Sequence, residues 1–286
     1  MKTSISFALI FVLSIAGALG QEKSAGSSLV LPQIQVLPIQ DSKESRQYEL
    51  YIELPEGYAE NPDKRYPVLY YTDATWHMEI LSACQEYIFT EAILVGISWQ
   101  TDIDEALLQE AGAHVSRYRD YTIRPHDKEE IQAKYHLGEA AKHLAFIRND
   151  VIPFVEKSYR TDTENRTYFG YSAGGLFGTF ILLSEPDTFK HYILGSPSLQ
   201  GDIPTLTSIE SKLTSDLNAN VFISYGTQEE ELGSHADQLI DLLKARKDQG
   251  LSLKMAKPEG THQTAFPLTG VQGVTWLAGL LTEQKN

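Results

Sequence analysis

The chain has 286 residues, and 38 acidic against 24 basic side chains give it a formal net charge of −14. Its composition, with 42% hydrophobic and 22% charged residues, is that of a folded protein and excludes a disordered or collagen-like chain. The acidic balance argues against nucleic acid and against an anionic membrane surface as partners, because both attract basic proteins. The single cysteine, Cys84, excludes an intrachain disulfide framework and a CxxC metal or redox site.

The N-terminal residues have the pattern of a secretory signal peptide. A lysine precedes an apolar stretch, and Ala18 and Gly20 provide small residues just before a cleavage site. A membrane anchor is the alternative, but the apolar stretch is short for a span of ~20 residues. The sequence therefore predicts an exported protein, periplasmic or secreted, in which 1–20 is a signal peptide, 21–29 a flexible leader and 30–286 a single domain.

Short segments typical of β-strands alternate with longer segments of helical periodicity over the rest of the chain. The predicted strands are 48–54, 67–71, 92–97, 167–169, 192–194, 221–225 and the alternating Leu251, Leu253 and Met255. Such alternation predicts βαβ units and a mostly parallel sheet.

Two helices are recognisable from the spacing of their apolar residues. One covers 144–155, and Pro153 within it is expected to kink or restart the helix. The other carries an apolar stripe within 239–243, and Gly250 is expected to end it. Residues 100–137 form a long, charged connection between two core elements, of the kind that often serves as a binding loop or lid.

The segment Gly170-Tyr-Ser172-Ala-Gly174 matches the short motif G-x-S-x-G. A strand-like segment precedes it and a helical one, 176–183, follows it. This strand–turn–helix arrangement is the nucleophile elbow, in which a sharp turn exposes the serine and the glycines avoid collisions with the neighbouring strand and helix. The motif predicts Ser172 as a nucleophile; the alternative is a glycine-rich helix start with an incidental serine.

A serine hydroxyl needs a base to act as a nucleophile. In folds that contain this elbow, the catalytic residues follow along the chain in the order serine, acid, histidine. His262 lies in a loop just after the last predicted strand, where the base is expected. His235 is the less favoured candidate, because it begins a helical pattern and is more simply a polar surface residue.

The acid is expected just after the strand 221–225, where three glutamates are adjacent. Glu229 lies nearest to the strand end and is therefore preferred over Glu230 and Glu231. Asp237 is a weaker alternative.

Attack of such a serine on an acyl group also requires N–H donors for the oxyanion. The backbone N–H of Ala173, next to the nucleophile, is predicted to be one of them. The second is expected in the loop after the strand 67–71, where Ala74 and Thr75 are equal candidates.

These features resemble the putative-esterase branch of the α/β-hydrolases, which includes esterase D-like enzymes and enterobactin-type siderophore esterases. The matching segments follow the order of the family: 54–58, 66–73, 119–122, 170–175, 196–198, 226–229 and 260–262. The resemblance implies an α/β-hydrolase fold with a mostly parallel central sheet of about eight strands and helices on both faces. It also implies a serine hydrolase of carboxylic esters that uses no metal and no organic cofactor.

The chain departs from the family pattern at two places. The family commonly has Asp-Gly where this chain has Asp73-Ala74, and paired tryptophans where it has Leu199-Gln200. The first departure concerns the oxyanion loop and the second the substrate pocket.

Several residues are candidates for contacts with the substrate. Arg117 and Arg119 could bind an anionic group, as entry-side loops of the family sometimes do, although a structural Arg119–Asp120 pair or a solvated face is an equal alternative. Trp76, Tyr118 and Tyr121 could line a pocket for an aromatic or sugar group, although aromatic residues more often belong to the core. Tyr171, beside the nucleophile, is a further candidate.

The sequence therefore predicts a secreted serine esterase that hydrolyses a small-molecule or carbohydrate-linked ester through an acyl-serine intermediate. Its catalytic residues would be Ser172, Glu229 and His262. The alternatives are a siderophore hydrolase acting on a catecholate triester, a peptidase of the same fold, and a non-catalytic binding module. A peptidase would usually carry a further large domain, and a binding module would be expected to have lost a catalytic residue. The sequence leaves the oligomeric state open.

Overall fold

A computed structural model of the protein describes residues 33–283. The predicted signal peptide and leader lie outside the described residues. None of the helices within the described range is long and apolar enough to cross a membrane.

Eight strands form one sheet in the order β1-β2-β4-β3-β5-β6-β7-β8. The strands are β1 (Ile34–Gln40), β2 (Gln47–Glu53), β3 (Tyr66–Tyr71), β4 (Ile93–Ile97), β5 (Thr161–Tyr171), β6 (His191–Gly195), β7 (Asn220–Ser224) and β8 (Ser252–Ala256). The β2 strand is antiparallel to both of its neighbours, and every other pair is parallel. The mostly parallel sheet is thus confirmed, and β1 is a strand that the sequence patterns did not predict.

Ten α-helices connect or flank these strands. They are α1 (Ala74–Tyr87), α2 (Glu105–Ala111), α3 (Arg117–Asp120), α4 (Glu129–Tyr135), α5 (Ala140–Phe146), α6 (Ile152–Ser158), α7 (Ala173–Ser184), α8 (Ile203–Glu210), α9 (Glu230–Arg246) and α10 (Ala265–Glu283), all within residues 33–283. A π-helical turn, Ile147–Val151, joins α5 to α6.

The helices cover both faces of the sheet, because successive residues of a strand point to opposite faces. In β3, Val68 and Tyr70 belong to the larger core, which also includes residues of α5, α6, α7 and α9. Leu69 and Tyr71 belong to the smaller core, which packs against α1 and α10. The α/β-hydrolase architecture with helices on both faces is therefore confirmed.

The helix predicted over 144–155 is present, and the backbone stays helical through its proline. A π-helical turn ends at Val151, and α6 follows directly at Ile152, with Val151 and Ile152 both in the right-handed helical conformation. Since Pro153 has no N–H to donate, the hydrogen-bond pattern changes just before it while the helix continues.

The expectation that Gly250 ends the helix α9 is wrong. The helix ends at Arg246, and Lys247 follows it in a left-handed conformation with φ of 58°. Glycine is favoured at such a position, but this chain uses a lysine three residues earlier.

The connection 100–137 contains the short helices α2, α3 and α4. Its helix α3 is tied to the core at Asp120, whose buried carboxylate accepts hydrogen bonds from the Tyr48 hydroxyl at 3.1 Å and from Arg119 Nε at 2.8 Å. A role for this connection as a lid stays a prediction.

His191 should make the folded protein sensitive to acid. Burial, with a smaller effect of Lys190, lowers the pKa of His191 to about 4, and Asn165 and Asn220 hydrogen-bond the neutral ring. In the unfolded chain the ring binds a proton below its usual pKa of about 6.5. His191 therefore stabilises the fold above pH 6.5, and this contribution is lost as the pH falls towards 4.

The His191→Gln variant offers the matched comparison, because its amide can also donate to Asn165 and accept from Asn220 without titrating. Between pH 7 and pH 4.5 the free energy of unfolding, measured by urea denaturation, should fall by about 2 kcal/mol more in the wild type than in the variant. Parallel pH curves for the two proteins would contradict this role of His191.

Candidate active site

Ser172 occupies a sharp turn between β5 and α7. Its φ of 58° and ψ of −118° are strained for a residue with a side chain. The β5 strand ends at Tyr171 and α7 begins at Ala173, and the Ser172 N–H donates to the carbonyl of Gly195 at 2.9 Å. The predicted strand–turn–helix context of the G-x-S-x-G motif is confirmed.

The glycines of the motif allow the strand and the helix to approach closely. A Cβ on Gly170 would lie 2.3 Å from the carbonyl oxygen of Gly174, and a Cβ on Gly174 would lie 2.6 Å from Oγ1 of Thr72. Both glycines are therefore required for the steric reason predicted from the motif.

Replacing Gly170 with alanine should disturb this turn. The added Cβ would meet backbone atoms that cannot rotate away, so we expect a loss of about 3 kcal/mol in the free energy of unfolding. Gly279→Ala is the matched control, because a Cβ there has no atom within 4 Å and alanine favours the helix α10 by up to ~1 kcal/mol. Thermal unfolding measures both, and an equal effect of the two substitutions would contradict the expectation.

His262 and Glu229 form a hydrogen-bonded pair beside this turn. His262 Nδ1 lies 2.6 Å from Glu229 Oε1, although 33 positions separate the two residues. The Glu229 side chain is only 5% exposed, whereas that of His262 is 34% exposed. Since a carboxylate only accepts, Nδ1 carries a proton, and Nε2 is the nitrogen that can act as a base.

The second carboxylate oxygen of Glu229 is also held in place. Oε2 accepts hydrogen bonds from the Gly226 N–H at 2.5 Å and from the Ser196 hydroxyl at 2.7 Å. Tyr171 supports the histidine from the other side, because its hydroxyl donates to the His262 carbonyl at 2.6 Å. These contacts fix the orientation of the His262–Glu229 pair.

The other acid and base candidates make different contacts. Glu230 and Glu231 are exposed at the start of α9, and Glu231 accepts from Gln200 Nε2 at 2.9 Å. Asp237 accepts from the Tyr225 hydroxyl at 2.8 Å. His235 is half-buried and lines a second cavity next to His262.

Ser172 and His262 line one cavity of about 460 Å³. Its other lining residues are Trp76, His77, Arg117, Tyr171, Gln263 and Phe266. The Ser172 hydroxyl makes its hydrogen bond with the hydroxyl of Ser198, at 3.1 Å, rather than with His262. Two of the predicted substrate-contact residues, Trp76 and Tyr171, line this cavity. The cavity is open to solvent at Trp76, because 49% of this residue is exposed.

Arg119 is held away from this cavity by other partners. Its guanidinium donates to Asp120 and, at 2.7 Å, to Gln100 Oε1, so the structural pair with Asp120 is present. The arginine that lines the cavity is Arg117, whose guanidinium lies 5.0 Å from the Trp76 ring.

Asp73 fixes the turn between β3 and α1, which contains the candidate oxyanion donors. It adopts a left-handed conformation with φ of 56°, and its buried carboxylate receives two hydrogen bonds of 2.9 Å from Arg117. The indole N–H of Trp99 donates to the same carboxylate at 2.6 Å. Ala74 and Thr75 begin α1, so their N–H groups have no acceptor within the helix.

This turn lies next to the nucleophile. The strands β3 and β5 are neighbours in the sheet, with Tyr71 paired to Phe169, and Thr72 lies close to Gly174. The Ala173 N–H is likewise at the first position of α7, where no intrahelical acceptor exists. Free N–H groups therefore begin two helices at the edge of the sheet where Ser172 lies.

Two residues near Ser172 were not singled out by the sequence patterns. Ser198 lies in the Ser196-Pro-Ser198 segment, which matches the family pattern but carries no catalytic signal of its own. Its position against Ser172 depends on the pairing of β5 with β6. His77 follows Trp76 on α1, and nothing in its local sequence distinguishes it from a core histidine.

Comparison with known proteins extends these observations. The family model described as "Putative esterase" matches residues 42–284. The curated relative Ferri-bacillibactin esterase BesA of Bacillus subtilis is 26% identical over 272 residues, which cover 85% of this chain and 88% of that protein. The siderophore triacetylfusarinine C esterase of Aspergillus fumigatus is 31% identical over 126 residues, 42% of this chain and 43% of that protein.

A solved structure is similar over most of its length. The crystal structure of BES protein from Bacillus cereus superposes with a TM-score of 0.75 at 22% identity, over 88% of this chain and 98% of that one. The family match, which spans nearly all of the described residues, agrees with the fold and with the nucleophile turn. The chain therefore belongs to the putative esterase family and is a serine hydrolase that acts on ester bonds.

Proposed function

We propose that Ser172, His262 and Glu229 are the catalytic residues of this esterase. The observation that carries the proposal is the hydrogen bond between His262 Nδ1 and Glu229 Oε1, which leaves the basic Nε2 on a residue that lines the same cavity as Ser172. A base must be oriented by a third group to accept the proton of a serine hydroxyl, and Glu229 would supply that orientation.

The reaction would proceed in two steps. Ser172 Oγ forms a bond to the ester carbonyl carbon while its proton passes to His262 Nε2, and the same proton then goes to the departing alcohol as the ester C–O bond breaks. Water then gives a proton to His262 as its oxygen bonds to the acyl carbon, and this proton passes to Ser172 Oγ as the bond between Oγ and the acyl carbon breaks and the acid leaves. For the first step, the Ser172 hydroxyl must donate its proton towards His262, and it can still accept a hydrogen bond from the Ser198 hydroxyl.

The oxyanion would be stabilised by backbone N–H groups. We assign one to Ala173 and the other to Ala74 or Thr75, at the start of α7 and α1. The Asp73–Arg117 ion pair would hold the second donor in place, because it fixes the turn from which α1 begins. Removal of one such donor typically costs ~3 kcal/mol of transition-state stabilisation.

Siderophore esters are the substrate class that we propose. Two curated relatives are named for ferri-bacillibactin and for the siderophore triacetylfusarinine C, and the first of them aligns over 85% of this chain. The open Trp76 ring beside Ser172 could pack against an aromatic group of such a molecule. Residues 1–20 would direct the enzyme to the periplasm or the medium, where it would meet siderophores outside the cytoplasm.

The test uses the purified protein without residues 1–20 and a panel of esters. Bacillibactin, enterobactin and triacetylfusarinine C, each with and without iron, are compared with acetylated and feruloylated sugars by chromatography of the products. Covalent labelling of Ser172 by a fluorophosphonate, located by mass spectrometry, tests the nucleophile independently of the substrate. Turnover of the sugar esters alone would overturn the substrate class, and labelling elsewhere would overturn the assignment of Ser172.

A further inference from the structure

His77 is a buried histidine in the cavity that holds Ser172, and the mechanism above does not use it. Only 5% of the residue is exposed, yet it lines the cavity together with Trp76 and Phe266. Its ring stacks on Phe266 with 4.7 Å between centroids and meets the Phe169 ring edge-on at 5.6 Å. The ring is therefore fixed in one orientation.

The protonation of this ring follows from its one hydrogen bond. Nδ1 lies 2.9 Å from the Thr72 carbonyl oxygen, and because a carbonyl only accepts, Nδ1 carries a proton. Burial lowers the pKa of His77, against the opposing effects of Asp73 and of this hydrogen bond, and the positive charge of Arg117 lowers it further. The ring is thus neutral at pH 7, and Nε2 carries a lone pair.

Nothing in the described part of the chain donates a hydrogen bond to this Nε2. Nδ1 is already used, so Nε2 is the polar atom that His77 can offer to a group in the cavity. The aromatic residues Trp76, Tyr171 and Phe266 line the same cavity, together with the polar Ser172, Arg117, His262 and Gln263. A buried acceptor favours a ligand that donates to it and penalises one that leaves it unpaired.

We propose that His77 Nε2 accepts a hydrogen bond from a hydroxyl on an aromatic ring of the substrate, and so selects esters that carry such a hydroxyl. Aromatic residues of the cavity would pack against the substrate ring while His77 Nε2 accepts the hydrogen bond from its hydroxyl. This inference rests on the proposed function, because the selected substrate must be bound beside Ser172.

Two variants separate this role from a merely structural one. The amide nitrogen of asparagine occupies the position of Nδ1, so His77→Asn can keep the hydrogen bond to Thr72 but has no atom at the place of Nε2. The amide of glutamine reaches the place of Nε2, so His77→Gln can keep an acceptor there but loses the hydrogen bond to Thr72. If His77 only positions the turn at Thr72, the hydrogen bond to Thr72 is the contact that matters. If His77 selects the substrate, the acceptor at the place of Nε2 is the contact that matters.

The experiment measures kcat and KM for methyl esters of 2-, 3- and 4-hydroxyphenylacetic acid and of the matched methoxy compounds. The wild-type enzyme should prefer at least one hydroxylated ester over its methoxy counterpart by about tenfold in kcat/KM. His77→Asn should lose this preference, mainly through a higher KM for the hydroxylated ester, and His77→Gln should retain it in part.

Two results would overturn the inference: a wild-type enzyme without any hydroxyl preference, or a His77→Asn variant that loses the same factor on both esters of a pair. Failure of the proposed function looks different, because then the wild type would neither hydrolyse the esters nor be labelled at Ser172 by the fluorophosphonate.

Discussion

The Ser172→Ala variant should hydrolyse esters at least about 10⁴-fold more slowly than the wild-type enzyme, measured as kcat on its best substrate. The alanine removes the atom that would form the acyl-enzyme, and no other hydroxyl in the cavity has a histidine oriented by a carboxylate behind it. Ser198 is the nearest substitute, since its hydroxyl lies 3.1 Å from that of Ser172, but it does not sit on the strained turn. Labelling by the fluorophosphonate should disappear together with the activity.

Ser172→Gly provides the control that separates chemistry from folding. The φ of 58° and ψ of −118° at this position are favourable for glycine and strained for other residues. We therefore expect Ser172→Gly to be inactive but more stable than the wild type by about 1 kcal/mol in its free energy of unfolding. An inactive variant that is also less stable would indicate that Ser172 acts through the fold rather than through its hydroxyl.

Glu229→Gln should lower kcat by about 10³- to 10⁴-fold with little change in KM. Both carboxylate oxygens accept hydrogen bonds, Oε1 from His262 and Oε2 from Gly226 and Ser196. An amide therefore presents its NH₂ group to a donor in either orientation. If that group faces His262, the ring must move its proton to Nε2 and can no longer act as a base; in both cases the charge that stabilises the protonated ring is lost.

The neighbouring glutamates are the matched controls for this substitution. Glu230 and Glu231 carry the same charge one and two positions further along the chain but are exposed at the start of α9. Glu230→Gln and Glu231→Gln should change kcat by no more than about twofold, because surface substitutions of this kind have small effects. A loss of comparable size in either control would show that Glu229 is not the acid, or that the whole acidic turn acts as one unit.

The sequence predicted much of the fold because its signals are local. The strand β4 is a continuous apolar run, and Gly170 and Gly174 flank Ser172 in one short motif. Features with a weak local signal were missed or misplaced. The strand β1 contains a proline and has only a weak pattern, and Lys247 rather than Gly250 follows α9, because left-handed residues other than glycine carry no clear signal.

The sequence by itself determined the class of fold, the turn that presents Ser172, and the order in which a serine, an acid and a histidine follow one another. Only the tertiary structure decided that Glu229 is the glutamate in contact with His262, and that Arg117 rather than Arg119 reaches the cavity. It also decided which nitrogen of His77 is hydrogen-bonded to Thr72. A motif consists of residues that are close together in the sequence. These contacts instead join distant segments, which meet because β3, β5, β6, β7 and β8 end at one edge of the sheet.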